Sequence, residues 1–537
     1  MYPRPLYHTQ EEYLVRSEKL TRLKSLGINP YPPSYTPSHQ ICRLLIDWED
    51  ANVGHSEDAA AGTTAEAKVA GRLVLFRAMG KNAFGQIQSE TARLQVMFNR
   101  ELTRVEGYEP GQGSSDEEPL SHLKFIEKLI DLGDIIGIEG HLFRTMKGEL
   151  TLFAKRVTLL CKTLLPLPDK HAGITDKEVR YRKRWLDLIS HSDVFATFRA
   201  RSDILRLLRR EFEAHHFVEV ETPVLQTLYG GANAKPFTTH LNALDEELYL
   251  RISLELPLKK LVVGGIERVY EIGRVFRNEG IDRNHNPEFT LLEAYAAYWD
   301  YNQMMSFTER LIEKIALALH GTTRVTFATP EGGEFLLDFT TPWKRMTMHE
   351  AVAEYAGIDT LCLKTEEIRA KVRERCALDP LKVSSASPGL LLTFLFEELV
   401  EDKLIQPHHI TDHPIETTPL CKPHRDPQKR ALGLVERFET YILGHELANA
   451  YTELNDPVIQ RALLEAQAER RDAGDEEAAP LDEEFIEAIC QGMPPTAGVG
   501  IGIDRLVMIL TATHSIRDVI YFPLMRREEA EGSSKEN

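Results

Sequence analysis

The 537-residue sequence has no run of about 18 apolar residues, which excludes a membrane-spanning helix. Its first residues, MYPRPLYHTQEEYLVRSEKL, lack the basic cap and apolar core of a secretory signal. Cysteine is scarce and scattered: Cys42, Cys161, Cys362, Cys376, Cys421 and Cys490 form no CxxC pair. That spacing argues against a disulfide frame or a cysteine zinc site, and for reduced thiols in a cytoplasmic protein. No nucleotide-binding GxGxxG turn and no series of strand–helix–strand repeats is present, so a doubly wound parallel sheet is not expected.

What remains is a globular composition, 42% hydrophobic and 27% charged, in a chain long enough for two or three cores. The net charge of −18 is unusual for a nucleic-acid binder. The charge is unevenly distributed, however. Between Lys68 and Arg104 seven basic residues face only Glu90 and Glu101, a local net of +5. A basic module on an acidic body suits an RNA that must bind specifically and leave readily. The acidic run 472–487 reads as solvated and without structure, as does the tail EGSSKEN.

Residues 11–26 place Leu14, Leu20, Leu23 and Leu26 at helical spacing before Pro30, Pro32 and Pro33. Short strand-like runs follow: VAGRLVLFRA, FGQIQ, RLQVMF, IIGIEGHLFR and ELTLFAKRVTLL. They are interrupted by the loop GYEPGQGSSDEEP and one helical segment near 121–130. About five strands over this length fit a Greek-key OB barrel. The expected organisation is a helical extension over 1–60, the barrel over 61–165 and a linker over 166–180. A second domain over 181–530 and a flexible tail over 531–537 complete it. Downstream, Phe195, Phe198, Leu205, Leu208 and Phe212 predict an amphipathic helix, and FVEVETPVL alternates like a strand. The second domain reads as α+β with long antiparallel hairpins and flanking helices.

Three stretches carry chemistry. In RVYEIGRVFRNEGIDRNHNPEFTLLEAYAAY (Arg268–Tyr298) a strand places Val269, Glu271, Gly273, Val275, Arg277 and Glu279 on one face. The return strand places Phe289, Leu291, Glu293 and Tyr295 on one face. A purely structural hairpin has little reason to gather so many charges beside a phenol and an aromatic ring. In AGVGIGIDRLVMIL (Ala497–Leu510), Gly498, Gly500 and Gly502 leave one strand face bare for a ligand or a second backbone. Asp504 and Arg505 then open a helix. In RFETYILGHELANAYTELNDP (Arg437–Pro457), Glu439, Glu446 and Glu453 recur at seven residues, with Asn449 and Tyr451 between them. Strand parity changes between them, so a bulge or break is required if all serve one site, with Gly444 the natural place.

EVETPVL, the FRNE…HNPEF hairpin and GIGIDR together resemble the three signature motifs of class II aminoacyl-tRNA synthetases. DKEVRYRKRWLDLI, YGGANAKPFTTHLNALD, NAYTELNDP and PPTAGVGIGIDRLVM are similar, more narrowly, to lysyl-tRNA synthetases of subclass IIb. The aspartyl and asparaginyl enzymes are the nearest relatives. The resemblance covers residues 65–525. It implies an N-terminal five-stranded OB barrel that reads the anticodon. It also implies a catalytic domain with a mainly antiparallel sheet flanked by helices.

Carried over position by position, the resemblance implies that Arg277 holds the amino-acid carboxylate and the ATP α-phosphate. Glu279, His285 and Asn286 match ATP-contacting positions, Phe289 the aromatic beneath adenine, and Arg505 the arginine across the base. Glu439 and Glu446 match Mg²⁺ ligands, with Glu439 also at the ATP. Glu453 and Tyr295 match the positions for a lysine ε-ammonium. Gly231, Glu255, Glu293, Asn449 and Tyr451 surround the rest of the amino acid. Arg77, Phe84 and Gln95 match positions that stack on and hydrogen-bond anticodon uridines, and Pro223 lies in the motif of the homodimer interface. The implied reaction is ATP-dependent loading of lysine onto tRNA(Lys). An acidic pocket favours lysine over aspartate, whose recognition would need cations. The chain departs from the pattern at Pro257, where the family often carries tyrosine. A non-catalytic RNA-binding regulator, or a ligase acting on protein, is the alternative of a different class. The complete set of Arg277, Glu279, Phe289, Glu439, Glu446 and Arg505 speaks against decay.

Overall fold

The computed structural model describes residues 5–49, 53–90, 92–111, 119–168, 173–328, 333–475 and 477–527. Part of the expected loop at 107–119, part of the linker and the tail 531–537 lie outside the described residues. The chain divides into two compact units, residues 1–195 and 196–537.

The first unit is built on a barrel. The 14-residue strand Glu66–Met79 pairs through its first half with Ile135–Arg144 and through its second with Asn82–Ser89. A register shift between Leu73 and Leu75 lets one strand serve both neighbours. Ala92–Asn99 pairs parallel with Leu150–Cys161, which closes the barrel and removes its edges. The short helix His122–Leu129 plugs it with Leu123, Phe125 and Ile126. Helices Glu11–Ser25 and Ile41–Asp47 add Leu23, Ile41 and Leu44 to the same core. Arg77, Phe84, Met97 and Gln95 share one face of the sheet, since Arg77 pairs with Phe84, Phe84 with Met97 and Gln86 with Gln95.

The second unit is an eight-stranded sheet, antiparallel except at its two ends. Its central order runs Arg437–Ile442, His445–Thr452, Thr496–Gly502, Glu288–Ala297, Arg268–Phe276. Helices Ser192–Ala214, Tyr301–His320 and Ile503–Leu510 cover one face, burying Leu208, Phe212, Met304, Ile312, Leu506 and Val507. Phe195 and Leu205 of the first of these are only partly buried, while Phe198 is fully so. The other face of the sheet carries the polar residues discussed below.

Two expectations are corrected. FVEVETPVL is not a continuous strand: only Val218–Glu219 and Leu225–Gln226 pair, because Pro223 lacks the N–H that a ladder requires. The described part of the acidic run is ordered, since helices Pro457–Asp472 and Glu483–Cys490 flank it and Ala478 and Ala479 are buried. Its small apolar residues, and not its charges, decide its position.

Candidate active site

The hairpin pairs Val275 with Phe289, Gly273 with Leu291, Glu271 with Glu293 and Val269 with Tyr295, so the return strand presents one polar face as its alternation predicts. The outgoing strand ends at Phe276, short of Arg277 and Glu279. Arg277 still donates its backbone N–H to Pro287, 2.9 Å away, so its side chain stays beside the sheet while Glu279 enters the turn.

The same face continues across the sheet. Asn449 is opposite Gly500 and Gly500 opposite Glu293; Tyr451 is opposite Gly498 and Gly498 opposite Tyr295. A Cβ at Gly498 would overlap the Glu453 carboxylate and the Tyr295 ring, so only glycine lets these two groups approach each other. Parity in the third stretch is resolved twice. The chain reverses at Leu443–Gly444, where Gly444 has φ 72°. Leu447 then has no opposite residue between the pairs Thr440–Ala448 and Tyr441–Glu446, and this bulge turns Glu446 onto the face of Asn449.

These strands wall a cavity of about 430 Å³. Among the described residues it is lined by Gly231, Glu255, Arg277, Glu279, His285, Asn286, Phe289, Glu293 and Tyr295. Glu446, Asn449, Tyr451, Glu453 and Arg505 complete the expected set. Glu439 alone of that set does not line it. Its carboxylate is buried one strand further out, taken by Arg437 and by the Tyr441 hydroxyl at 2.6 Å. Ala479, Pro480 and Asp482 of the acidic segment also line the cavity.

One end is cationic and open. The Arg277 guanidinium lies 5.2 Å from the Phe289 ring centre and donates to the Ile252 carbonyl. Arg505 reaches the Glu446 carbonyl and approaches His285 Nε2 at 3.1 Å. Asp504, behind it, is buried and accepts from Arg201 at 2.6 Å and from the Thr290 N–H at 2.7 Å, fixing the start of the helix.

The other end is closed and acidic. Glu293 accepts from Ser253 Oγ (2.7 Å), the Leu254 N–H (3.0 Å) and Tyr295 Oη (3.0 Å). Burial, helped by Glu255, nevertheless pushes its pKa up to about 7. Glu255 accepts from Tyr451 Oη at 2.6 Å and is paired with Lys259. Burial raises the carboxyl of Glu453, 1% exposed, well above the usual range, with the Lys259 ammonium opposing. Neither Glu453 oxygen accepts a well-formed hydrogen bond, although Lys259 Nζ is close enough to form an ion pair. Glu446 is likewise pushed up, first by burial and then by Glu439.

Sequence reasoning missed several of these partners. Arg437 lines the cavity, donates to Asn449 Oδ1 at 3.0 Å and bridges to Glu439; it heads a stretch read for its acids, Asn449 and Tyr451. Ser253, which donates to Glu293, carries no pattern of its own. Lys259 does carry one, lying four residues after Glu255 on the helix Glu255–Val263. Pro257 falls in the first turn of that helix, where a missing N–H costs no intrahelical bond, so the departure leaves the helix intact.

Known proteins bear directly on this arrangement. The family of tRNA synthetases class II (D, K and N) matches residues 176–526, and the OB-fold nucleic acid binding domain matches residues 67–160. The chain is 54% identical over 529 residues to the lysine--tRNA ligase of Chlamydia caviae, covering 98% of this chain and 99% of that protein. It is 47% identical to that of Nostoc punctiforme (96% and 87% covered) and 44% to that of Fervidobacterium nodosum (96% and 94%). An antiparallel sheet with this polar face, an OB barrel before it and full-length likeness at this level lead to one assignment: the chain belongs to the class II tRNA synthetases, in the family of the lysine--tRNA ligases.

Proposed function

We propose that the protein activates L-lysine with ATP and transfers it to the 3′ end of tRNA(Lys). The observation that carries this reading is the acidic end of the cavity. Glu453 is buried there without a well-formed hydrogen bond, beside Tyr295 and the bare Gly498. A buried carboxylate left in this state is a site for a cation with several donors, and a primary ammonium supplies three. Glu255 and Glu293 stand where the α-ammonium would lie, and Asn449 and Tyr451 form the wall. Gly231, at φ 83°, closes it from above.

With lysine so held, its carboxylate points to Arg277. A fixed guanidinium at that place orients the carboxylate for attack on the α-phosphorus of ATP and stabilises the charge that develops on the phosphoryl oxygens. The new bond joins carboxylate oxygen to phosphorus, and the bond to the β-phosphate bridge breaks, releasing diphosphate. Phe289 and Arg505 sandwich the adenine; Glu279, His285 and Asn286 hold the nucleotide. The terminal ribose hydroxyl of tRNA then attacks the carbonyl of the lysyl-adenylate, and AMP leaves. No side chain acts as a nucleophile, so catalysis is positioning and charge stabilisation.

Mg²⁺ fits the residues present. Burial, and then the charge of Glu439, raises Glu446, and Glu401 beside them is pushed up to about 7 by burial and by both. A divalent cation relieves such crowding, and Mg²⁺ is ordinarily held by one or two carboxylates together with phosphate oxygens. Bound by Glu446, with Glu439 behind it, the ion would neutralise charge on the triphosphate.

In the barrel, Arg77 and the half-buried Phe84 and Gln95 form one face suited to unstacked anticodon bases. Around Pro223, Val218, Val224, Leu225 and Leu228 are exposed, and this apolar strip supports a homodimer. The test is amino-acid-dependent ATP–diphosphate exchange with all twenty amino acids, followed by charging of tRNA. Exchange with lysine alone is expected. Exchange with aspartate or asparagine would overturn the pocket assignment, and no exchange with any amino acid would favour the non-catalytic reading.

A further inference from the structure

Behind the cavity wall, among the described residues, lies a buried cation that the proposed reaction does not use. Lys259 is fully buried, does not line the cavity, and touches no group assigned to ATP or tRNA. Its Nζ forms ion pairs with both Glu255 and Glu453. The rings of Tyr451 and Phe485 lie 5.4 Å and 5.8 Å from it.

Resting on the lysine reading above, we infer that Lys259 is a positioning residue for amino-acid selection: an internal ammonium behind the wall that offsets the crowded negative charge of Glu453 and Glu255 and keeps both carboxylates aimed at the substrate. The argument is one of charge matching. The closed end contains three buried carboxylates, Glu255, Glu293 and Glu453, and bound lysine offers two ammonium groups, its own carboxylate facing Arg277. Without a third cation one buried carboxylate would stay uncompensated, and such a group neutralises by taking up a proton. Lys259 supplies the third cation from the protein. It stands four residues after Glu255 on one helix and reaches across to Glu453, just beyond the strand His445–Thr452, so it also fixes the spacing of the two carboxylates.

The groups facing this cluster reinforce the conclusion. Tyr451 donates to Glu255, while Tyr295 donates to Glu293, so both phenols are engaged as donors. The Cys421 thiol, beside Glu453, is held neutral by burial. The helix Glu483–Cys490 contributes the Phe485 ring, with Ile486 and Ile489 in the same apolar cluster as Tyr451, and its N-cap Asp482 lines the cavity. Among the described residues Lys259 is the cation paired with Glu255 and Glu453, whereas the buried Arg437, opposite Tyr451, is paired with Glu439.

The test uses the full-length enzyme carrying Lys259→Met, with KM for lysine, KM for ATP and kcat followed by exchange across about pH 6.5 to 9. Loss of the ammonium raises the pKa of Glu453, and each unit by which that pKa exceeds the pH leaves about tenfold less of the ionised form. Lysine KM is expected to rise at least about tenfold near pH 7 and to fall back toward the parent value as pH rises, with ATP KM within about twofold. Lys259→Gln, which keeps the volume and hydrogen-bonding capacity, is expected to behave alike, and Lys259→Arg to restore a flatter profile. Either neutral variant suffices, with circular dichroism establishing that it is folded. A folded neutral variant with parent lysine KM at every pH would overturn the inference, as would a rise that is independent of pH or shared equally by ATP. The parent enzyme is the control: if it shows no lysine-dependent exchange, the lysine reading itself fails, whereas lysine exchange with indifferent Lys259 variants overturns only this inference.

Discussion

Replacing Glu453 by glutamine isolates the charge that selects lysine. The side chain keeps its shape, so neither a cavity nor a clash with Gly498 or Tyr295 is created. What changes is the partner of the substrate ε-ammonium. Stripping a buried charge of its partner costs about 3–5 kcal/mol when nothing replaces it. The amide oxygen still accepts one hydrogen bond, and bonds to charged groups are worth about 1.5–3 kcal/mol, so roughly 1.5–2 kcal/mol of the loss should survive. At 1.4 kcal/mol per tenfold, lysine kcat/KM should fall by about 10- to 30-fold, almost wholly through KM. Fold stability should change little. Lys259 keeps Glu255 as its partner, and one of three crowded carboxylates has been removed. The assay is lysine-dependent ATP–diphosphate exchange with lysine and ATP varied separately. A loss smaller than about fivefold, or one divided equally between lysine and ATP, would refute the assignment of Glu453 to the ammonium.

Gly498→Ala should destabilise the protein by about 1–3 kcal/mol in urea unfolding and abolish exchange, because the new methyl meets Glu453 and Tyr295, both held in place. Glu293, whose folded pKa of about 7 lies above its unfolded value, favours the fold while protonated, so its contribution to stability is lost as pH rises from about 4.5 to about 7. Binding of an ammonium needs the ionised form, so lysine KM should fall as pH rises through about 7, and Glu293→Gln should flatten that limb of the profile. Phe84→Ala should leave exchange untouched and raise the KM for tRNA by about 5- to 150-fold, the equivalent of a stacking loss of ~1–3 kcal/mol. Arg77→Ala should weaken tRNA binding less and reduce its dependence on salt, measured by filter binding in a salt series.

How far the sequence could be read depended on whether a residue acts through local spacing or through a distant partner. The face of Phe289, Leu291, Glu293 and Tyr295 follows from period-two alternation in a long antiparallel hairpin, and the register agrees. The need for an irregularity between Glu439 and Glu446 followed from parity alone. Its form did not, since a turn at Gly444 and a bulge at Leu447 are both compatible with that parity, and the structure uses both. Arg437 and Lys259 were passed over for another reason. A basic residue near an acid looks like charge balance until the fold brings Arg437 beside Asn449 and Lys259 beside Glu453, 194 residues away in sequence. The acidic segment misled in the opposite direction. Its charges suggested solvation, yet Ala478 and Ala479 bury themselves and carry Pro480 and Asp482 to the cavity rim. Alternation therefore reveals which residues share a face. Which buried charges neutralise one another depends on strand order, and it is that neutralisation which decides whether the pocket can accept an ammonium.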